Sequence, residues 1–454
     1  MKDMKLVYLS ILLMMIATAG GSGYAQPALE ADTLNSTASG PAASNRPGLS
    51  IASPASSPVL SLKELIAEAL ERNPGLKAVR QRVNAAQAKI PQEQWALPDP
   101  MIGVDVEGRP RNPANFTDYM DIEYMVEQEI PNPLKLWTRG KVAAREKEMI
   151  QATYLGKERK LIADLKSAYY ELFMIERSIE VNQENKDLIS QFLKSAETRY
   201  SVGKATQNDV LKAQVELSKL MNELVTFEQM KQTAIARLNA LLNRPTRAPL
   251  GTTVSKVASE TRAFHWDDLE KLTLAGSPEL LEMQAAVKRQ ESSLRLSKLE
   301  YMPDLKVRSE SRQFKGEGLR EYDAFLGVTI PLWGFKKQRN QVKESRAFLE
   351  EAKANYESMK NAVLFEVQDA LVRVESNQRL VALYETSVLP QAQQSLKSAV
   401  AGYESDRNDF LSLIDAQRNL KTFQLEYYDS FVKLEQSFAD LERAVGTDLE
   451  EIIP

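Results

Sequence analysis

The chain has 454 residues, 43% of them hydrophobic, a formal net charge of −4 and no cysteine. That length suits about three ordinary domains. The absence of cysteine excludes disulfides, cysteine-ligated zinc, thiol catalysis and a lipidated N-terminal cysteine, and so mild and evenly spread a charge excludes nucleic acid as a partner.

Residues 1–25 read as a secretory signal: Lys2 and Lys5 make a basic start, and Leu6 to Ile16 is an apolar run too short to span a bilayer. Small residues then offer cleavage after Ala19 or after Ala25. Residues 26–58 are rich in Ala, Ser, Pro and Thr, cannot bury enough surface to offset ordering, and are expected to be a flexible linker.

Leu62, Leu65, Ile66, Ala69 and Leu70 form a helical stripe ending before Asn73-Pro74, and a second helix runs from Pro74 to about Trp95. The period then changes from 3.6 to 2. Strands are predicted near 101–109 and 119–130, with Ile102, Val104, Val106, Ile122, Tyr124 and Val126 on one face. The other face carries Asp105, Glu107, Asp121, Glu123, Glu127 and Glu129. A long helix from about Leu134 to Tyr200 and a return helix from about Gln207 to Leu242 follow.

The order then repeats, with offsets between 200 and 205: Pro98-Asp99 returns as Pro303-Asp304, Ile130-Pro131 as Ile330-Pro331, and Ala213-Gln214 as Ala416-Gln417. The second copy predicts helices at Trp266–Ala275 and Pro278–Glu300 and strands near 304–313 and 321–330. Its long helices run from Phe335 to about Tyr403, with one proline, Pro390, and from Asn408 to about Val445. The repeats are expected at 59–250 and 251–447, with a tail at 448–454. The polar face of the second strand pair is more basic: Lys306, Arg308 and Arg312. Neighbouring hairpins are therefore expected to exchange charge pairs.

Such alternation suits an ordinary half-buried hairpin or a transmembrane strand of about ten residues. Two details favour the membrane. Charges occupy nearly every polar-face position, and Trp95, Trp137, Tyr301 and Trp333 flank the strand ends as an interfacial belt would. In lipid, four strands leave open edges, so at least two protomers must complete a barrel.

Together these features resemble the TolC-like outer-membrane factor family, from residue 60 to 447. The resemblance rests on the repeat, Leu97-Pro98-Asp99-Pro100 with Met302-Pro303-Asp304, and the two Ile-Pro pairs. It rests also on the turn segments Tyr200–Leu211 and Tyr403–Gln417. The resemblance implies a mainly α fold with a β-barrel portion: a homotrimer whose twelve strands form one outer-membrane barrel and whose helical hairpins form a periplasmic α-barrel. It implies a passive exit duct in the outer membrane of a Gram-negative cell, docked to a periplasmic adaptor and an inner-membrane RND or ABC transporter. The segment Gln128–Lys141 looks like the heavy-metal efflux branch, although that branch often shows Pro-Phe-Pro-Gly-Lys-Leu where this chain has Pro-Asn-Pro-Leu-Lys-Leu at 131–136. Drug efflux and type I protein secretion are the alternatives, and a soluble periplasmic coiled-coil scaffold is a more distant one.

By the same resemblance, Val202, Gly203, Thr206, Ser405 and Asp406 lie at the adaptor-docking tips, and Asp415 matches a gate acid. Ser412 stands where some members have a second acid, and Asp409 and Asp209 are candidate helpers. Each acid has the alternative of an ordinary helix-start residue, the preferred reading for Asp209 and Asp409, and Gly203 that of an ordinary left-handed turn. His265, the one histidine, precedes a helix start and reads as structural. No nucleophile elbow, phosphate loop or metal-ligand cluster is present, so neither an enzyme nor a cofactor is expected.

Overall fold

The structure, a computed structural model, describes residues 60–108, 119, 121–253, 263–314, 319–334 and 336–449. The expected signal at 1–25, the linker at 26–58, both hairpin tips between the strands and most of the tail lie outside the described residues.

Helix α1 spans Leu62–Arg72 and α2 spans Pro74–Gln94. Asn73 separates them for a local reason: its side chain accepts from the Leu76 N–H (3.1 Å), and Pro74 occupies a first-turn position that needs no donor. Its amide also donates to the Leu241 carbonyl (3.1 Å), tying this corner to a distant helix end. The counterparts are α5, Trp266–Gly276, and α6, Pro278–Leu299, separated by Ser277.

Strands β1 (Met101–Glu107), β2 (Asp121–Ile130), β3 (Asp304–Phe314) and β4 (Leu319–Thr329) form one antiparallel sheet in that order. Met101 stands opposite Glu127, and Lys306 opposite Gly327. Offsets of 205 for the first strand and 200 for the second therefore carry one hairpin's register onto the other without a slip. One face carries the predicted apolar rows, mostly uncovered in the single chain: Ile102 is 77% exposed and Leu326 71%, while Ile122 is buried.

Helix α3 runs unbroken from Pro133 to Ser201, 69 residues or about 100 Å at 1.5 Å per residue, and α4 returns over Gln207–Leu241. In the second copy α7 (Lys337–Leu383) does not continue directly into α8 (Leu389–Glu404), contrary to the single helix expected from Phe335 to Tyr403. A π-helical turn, Tyr384–Val388, intervenes, and the Leu389 N–H bonds to the Tyr384 carbonyl five residues back. Pro390 explains it: proline lacks a donor and its ring collides with the preceding turn, which the wider π turn accommodates. Helix α9, Phe410–Val445, ends on Gly446 at φ +84.

The larger core joins α1, α3, α4, α5, α7 and α9 through Leu65, Leu165, Leu172, Leu238, Leu269, Val367 and Leu441. A second cluster near the tips holds Ile189, Ala196, Ala213, Leu220, Tyr403 and Leu413. Among the described residues no helix is long and apolar enough to cross a membrane.

Candidate functional site

The polar sheet face collects the predicted charged residues in rows. Asp105 stands opposite Glu123 and Glu107 opposite Asp121, so the first hairpin sets acid against acid. The hairpins meet at β2–β3, where Lys306 Nζ reaches Glu127 (2.5 Å) and Arg312 reaches Glu123 (3.4 Å). Arg308, opposite Glu127 in register, instead pairs with Glu310 on its own strand (2.5 Å) and lies over the Phe325 ring. Two of the three bases thus bridge the hairpins, and the third does not.

Where strands become helices, Asp304 accepts from the Asn132 N–H (2.8 Å) and from Lys135 Nζ (2.8 Å), with Glu300 3.7 Å from the same ammonium. The Lys135 side chain is only 3% exposed. The acid of the second Pro-Asp motif therefore clamps the turn after the first hairpin. Sequence reasoning overlooked this role for Lys135. The available signal was a lysine in a helix's first turn, where the macrodipole disfavours a cation unless an acid lies near. Trp95, Trp137, Tyr301 and Trp333 all lie beside this junction and are exposed, with Lys141 Nζ 3.6 Å from the Trp137 ring centroid.

At the far ends of the long helices, Val202 is exposed and Gly203 takes φ +72, with nothing near the place a Cβ would occupy. Thr206 and Asp209 form a reciprocal capping box at the start of α4. The second tip turns at Asp406, φ +59, held by Arg199, which also donates to the Tyr403 carbonyl. Ser405 donates to the Ala401 carbonyl (2.8 Å). Asp409 caps α9, accepting from the Ser412 hydroxyl (2.5 Å) and N–H (3.0 Å). Those bonds hold the Asp409 carboxyl below its ordinary range. Three of the four candidate gate residues thus sit in helix caps. Asp415 alone projects beyond them, exposed, with Arg418 at 3.7 Å.

A further set of contacts fastens α9 to the first helical hairpin. Arg418 donates to Glu216 (2.5 Å), Lys421 Nζ and Asn182 both reach Glu223 (2.7 and 2.6 Å), and Gln417 donates to Asn185 (2.6 Å). Burial pushes the Glu216 carboxyl upward, but Arg418, assisted by Lys219 and Lys421, overcomes this and holds it below its ordinary value. These residues were not among the candidates. By the 203-residue offset of Ala213-Gln214 and Ala416-Gln417, Glu216 matches Asn419 and Arg418 matches Val215, so this pair joins neighbouring rather than equivalent places in the two repeats.

The sequence profile described as outer membrane efflux protein matches residues 65–244 and 269–447, both repeats. The chain belongs to the outer membrane efflux protein family. Members of this family are TolC-like channels, and the protein is an outer-membrane protein of that class. It is 23% identical over 397 residues to the cobalt-zinc-cadmium resistance protein CzcC of Cupriavidus metallidurans, covering 85% of this chain and 90% of that one. In fold it is similar to the outer membrane protein VceC from Vibrio cholerae, at TM-score 0.71 and 16% identity, over 85% of this chain and 96% of that one. It is equally similar to CusC, at TM-score 0.73 and 15% identity, over 88% and 96%.

Proposed function

We propose that this outer membrane efflux protein is the passive exit duct of a tripartite pump, working as a homotrimer. The observation that carries the reading is the sheet: four strands with a mostly uncovered apolar face, two open edges and a charged inner face, joined to helices about 100 Å long. Unpaired edge groups in lipid cost several kcal/mol each, so the edges must find partners, and three copies supply twelve strands. Trp95, Trp137, Tyr301 and Trp333 then mark the periplasmic-side interface of the outer membrane.

The helical hairpins extend toward the periplasm. Val202, Gly203, Thr206, Ser405 and Asp406 meet a periplasmic adaptor, which links the duct to an inner-membrane RND or ABC transporter. Three copies of Asp415 around the axis form an acidic ring that favours cations. The contacts of Arg418, Lys421 and Gln417 hold α9 against its neighbours and so form the gate's latch. The similarity to CzcC favours metal cations as cargo over drugs or secreted proteins. Energy comes from the inner-membrane partner, and the duct itself does no chemistry.

Reconstitution into planar bilayers tests this reading. The expected result is a cation-preferring conductance that falls when adaptor is added from the periplasmic side. A soluble monomer without conductance would overturn it.

A further inference from the structure

The two sheet edges, β1 and β4, are open in the single chain, and the internal repeat says how they close. Inside the chain, β2 pairs with β3 so that Ile130 stands opposite Leu305 and Glu123 opposite Arg312. The two hairpins superpose in register when the first strand is moved by 205 residues and the second by 200. Applying the same offsets turns the β2–β3 seam into a β4–β1 seam between copies. The result keeps both faces consistent: Leu326 falls opposite the partner's Val104 on the apolar face, and Phe325 opposite the partner's Asp105 on the charged face.

Resting on the trimeric reading above, we propose that copies of this chain join β4 to the partner's β1 in this one register, and that the seam is mismatched in charge. Asp323 falls opposite the partner's Glu107. On its own chain Asp323 already stands opposite Glu310, so it lies between two carboxylates. The partner's Glu107 likewise has an acid, Asp121, across the hairpin. The seam inside the chain is different in kind, because Lys306 and Arg312 there answer Glu127 and Glu123. Like charges directly opposite on a sheet are destabilising, and opposite charges stabilise. Among the described residues each seam between chains therefore carries this one acid-on-acid pair, where each seam inside a chain carries two ion pairs.

The chain has no cysteine, so paired cysteines report the register cleanly. Asp323→Cys with Glu107→Cys lie three strands apart within one chain, about 14 Å, too far to bridge there. In the full-length protein in detergent, oxidation of this pair is expected to give covalent dimers and trimers. Asp323→Cys with Gly103→Cys, four residues out of register or about 13 Å, is expected to give none. Trimers on sizing whose matched pair fails to cross-link, or whose mismatched pair links equally well, overturn the register while leaving the trimer intact. A monomer on sizing overturns both. For the charges, Asp323→Arg is expected to raise the temperature at which trimers dissociate, and adding Glu107→Arg to remove the gain. An unchanged or lower temperature for Asp323→Arg, in protein that still runs as a trimer on sizing, overturns the mismatch.

Discussion

Arg418→Ala is the most direct test of the latch. The guanidinium sits 2.5 Å from a Glu216 side chain that is 5% exposed, while Arg418 itself is 42% exposed. Removing one partner of a fully buried pair costs about 3–5 kcal/mol, because the remaining charge is left uncompensated. Water around Arg418 screens the pair, and Lys219 stays 3.6 Å from Glu216, so about 1–2 kcal/mol per copy is the appropriate figure. That is a shift of roughly 5–30-fold in the latched-to-released ratio. Three independent latches in a trimer sum to about 3–6 kcal/mol. Single-channel recording in planar bilayers should show longer open dwells and a higher open fraction, with Arg418→Lys intermediate. Wild-type dwell times in a correctly assembled Arg418→Ala trimer would refute the assignment of Arg418 to the gate.

Acid should release the same latch. Glu216 has a lowered folded pKa, so its stabilising contribution is complete above the ordinary carboxylate range and is lost only as pH falls through that lowered value. Open fraction should hold steady between about pH 5 and 8 and rise below about pH 4, a rise that Glu216→Gln removes. Lys135→Met leaves Asp304 to the Asn132 N–H alone and should cost about 1–3 kcal/mol, read as a lower thermal transition, whereas Lys135→Met with Asp304→Asn should recover part of the loss. Gly203→Ala meets no neighbour, so its cost is backbone alone, about 1–2 kcal/mol confined to the tip. Limited proteolysis should then show faster cutting near residue 203 at an unchanged global melting temperature.

The repeat, the strand faces and most helix ends were readable because each is written locally. A change of period from 3.6 to 2 marks the strands, and Asn73-Pro74 and Asn132-Pro133 punctuate the helices through caps made by adjacent residues. Thr206 and Asp209 are three residues apart, so their capping box was accessible, and it accounts for Asp209 without a gate. The π turn was harder. Pro390 announces a disturbance in a helix but does not say whether the chain will bend, break or widen. The clamp and the latch could not be seen by local pattern at all. Lys135 and Asp304 are 169 residues apart, and Glu216 and Arg418 are 202 apart. Aligning the two copies does not expose the second pair either, because Glu216 falls on Asn419 and Arg418 on Val215.

The two long arms of this chain are mechanically unlike. The first is a continuous strut, seated at one end by Lys135 and Asn132 on Asp304. A tilt of about 3° at that seat swings the far end of a rod about 100 Å long by roughly 5 Å. Small errors at the fulcrum would thus become large errors at the tip, which is reason enough for the fulcrum to be buried and doubly bonded. The second arm is interrupted by the wider turn at Tyr384–Val388, which is fastened sideways to α9 by Tyr384 on Glu426 (2.9 Å) and Tyr427 on Glu385 (2.6 Å). The first arm is thus held at its end, on the sheet, and the second is held partway along, against its neighbouring helix.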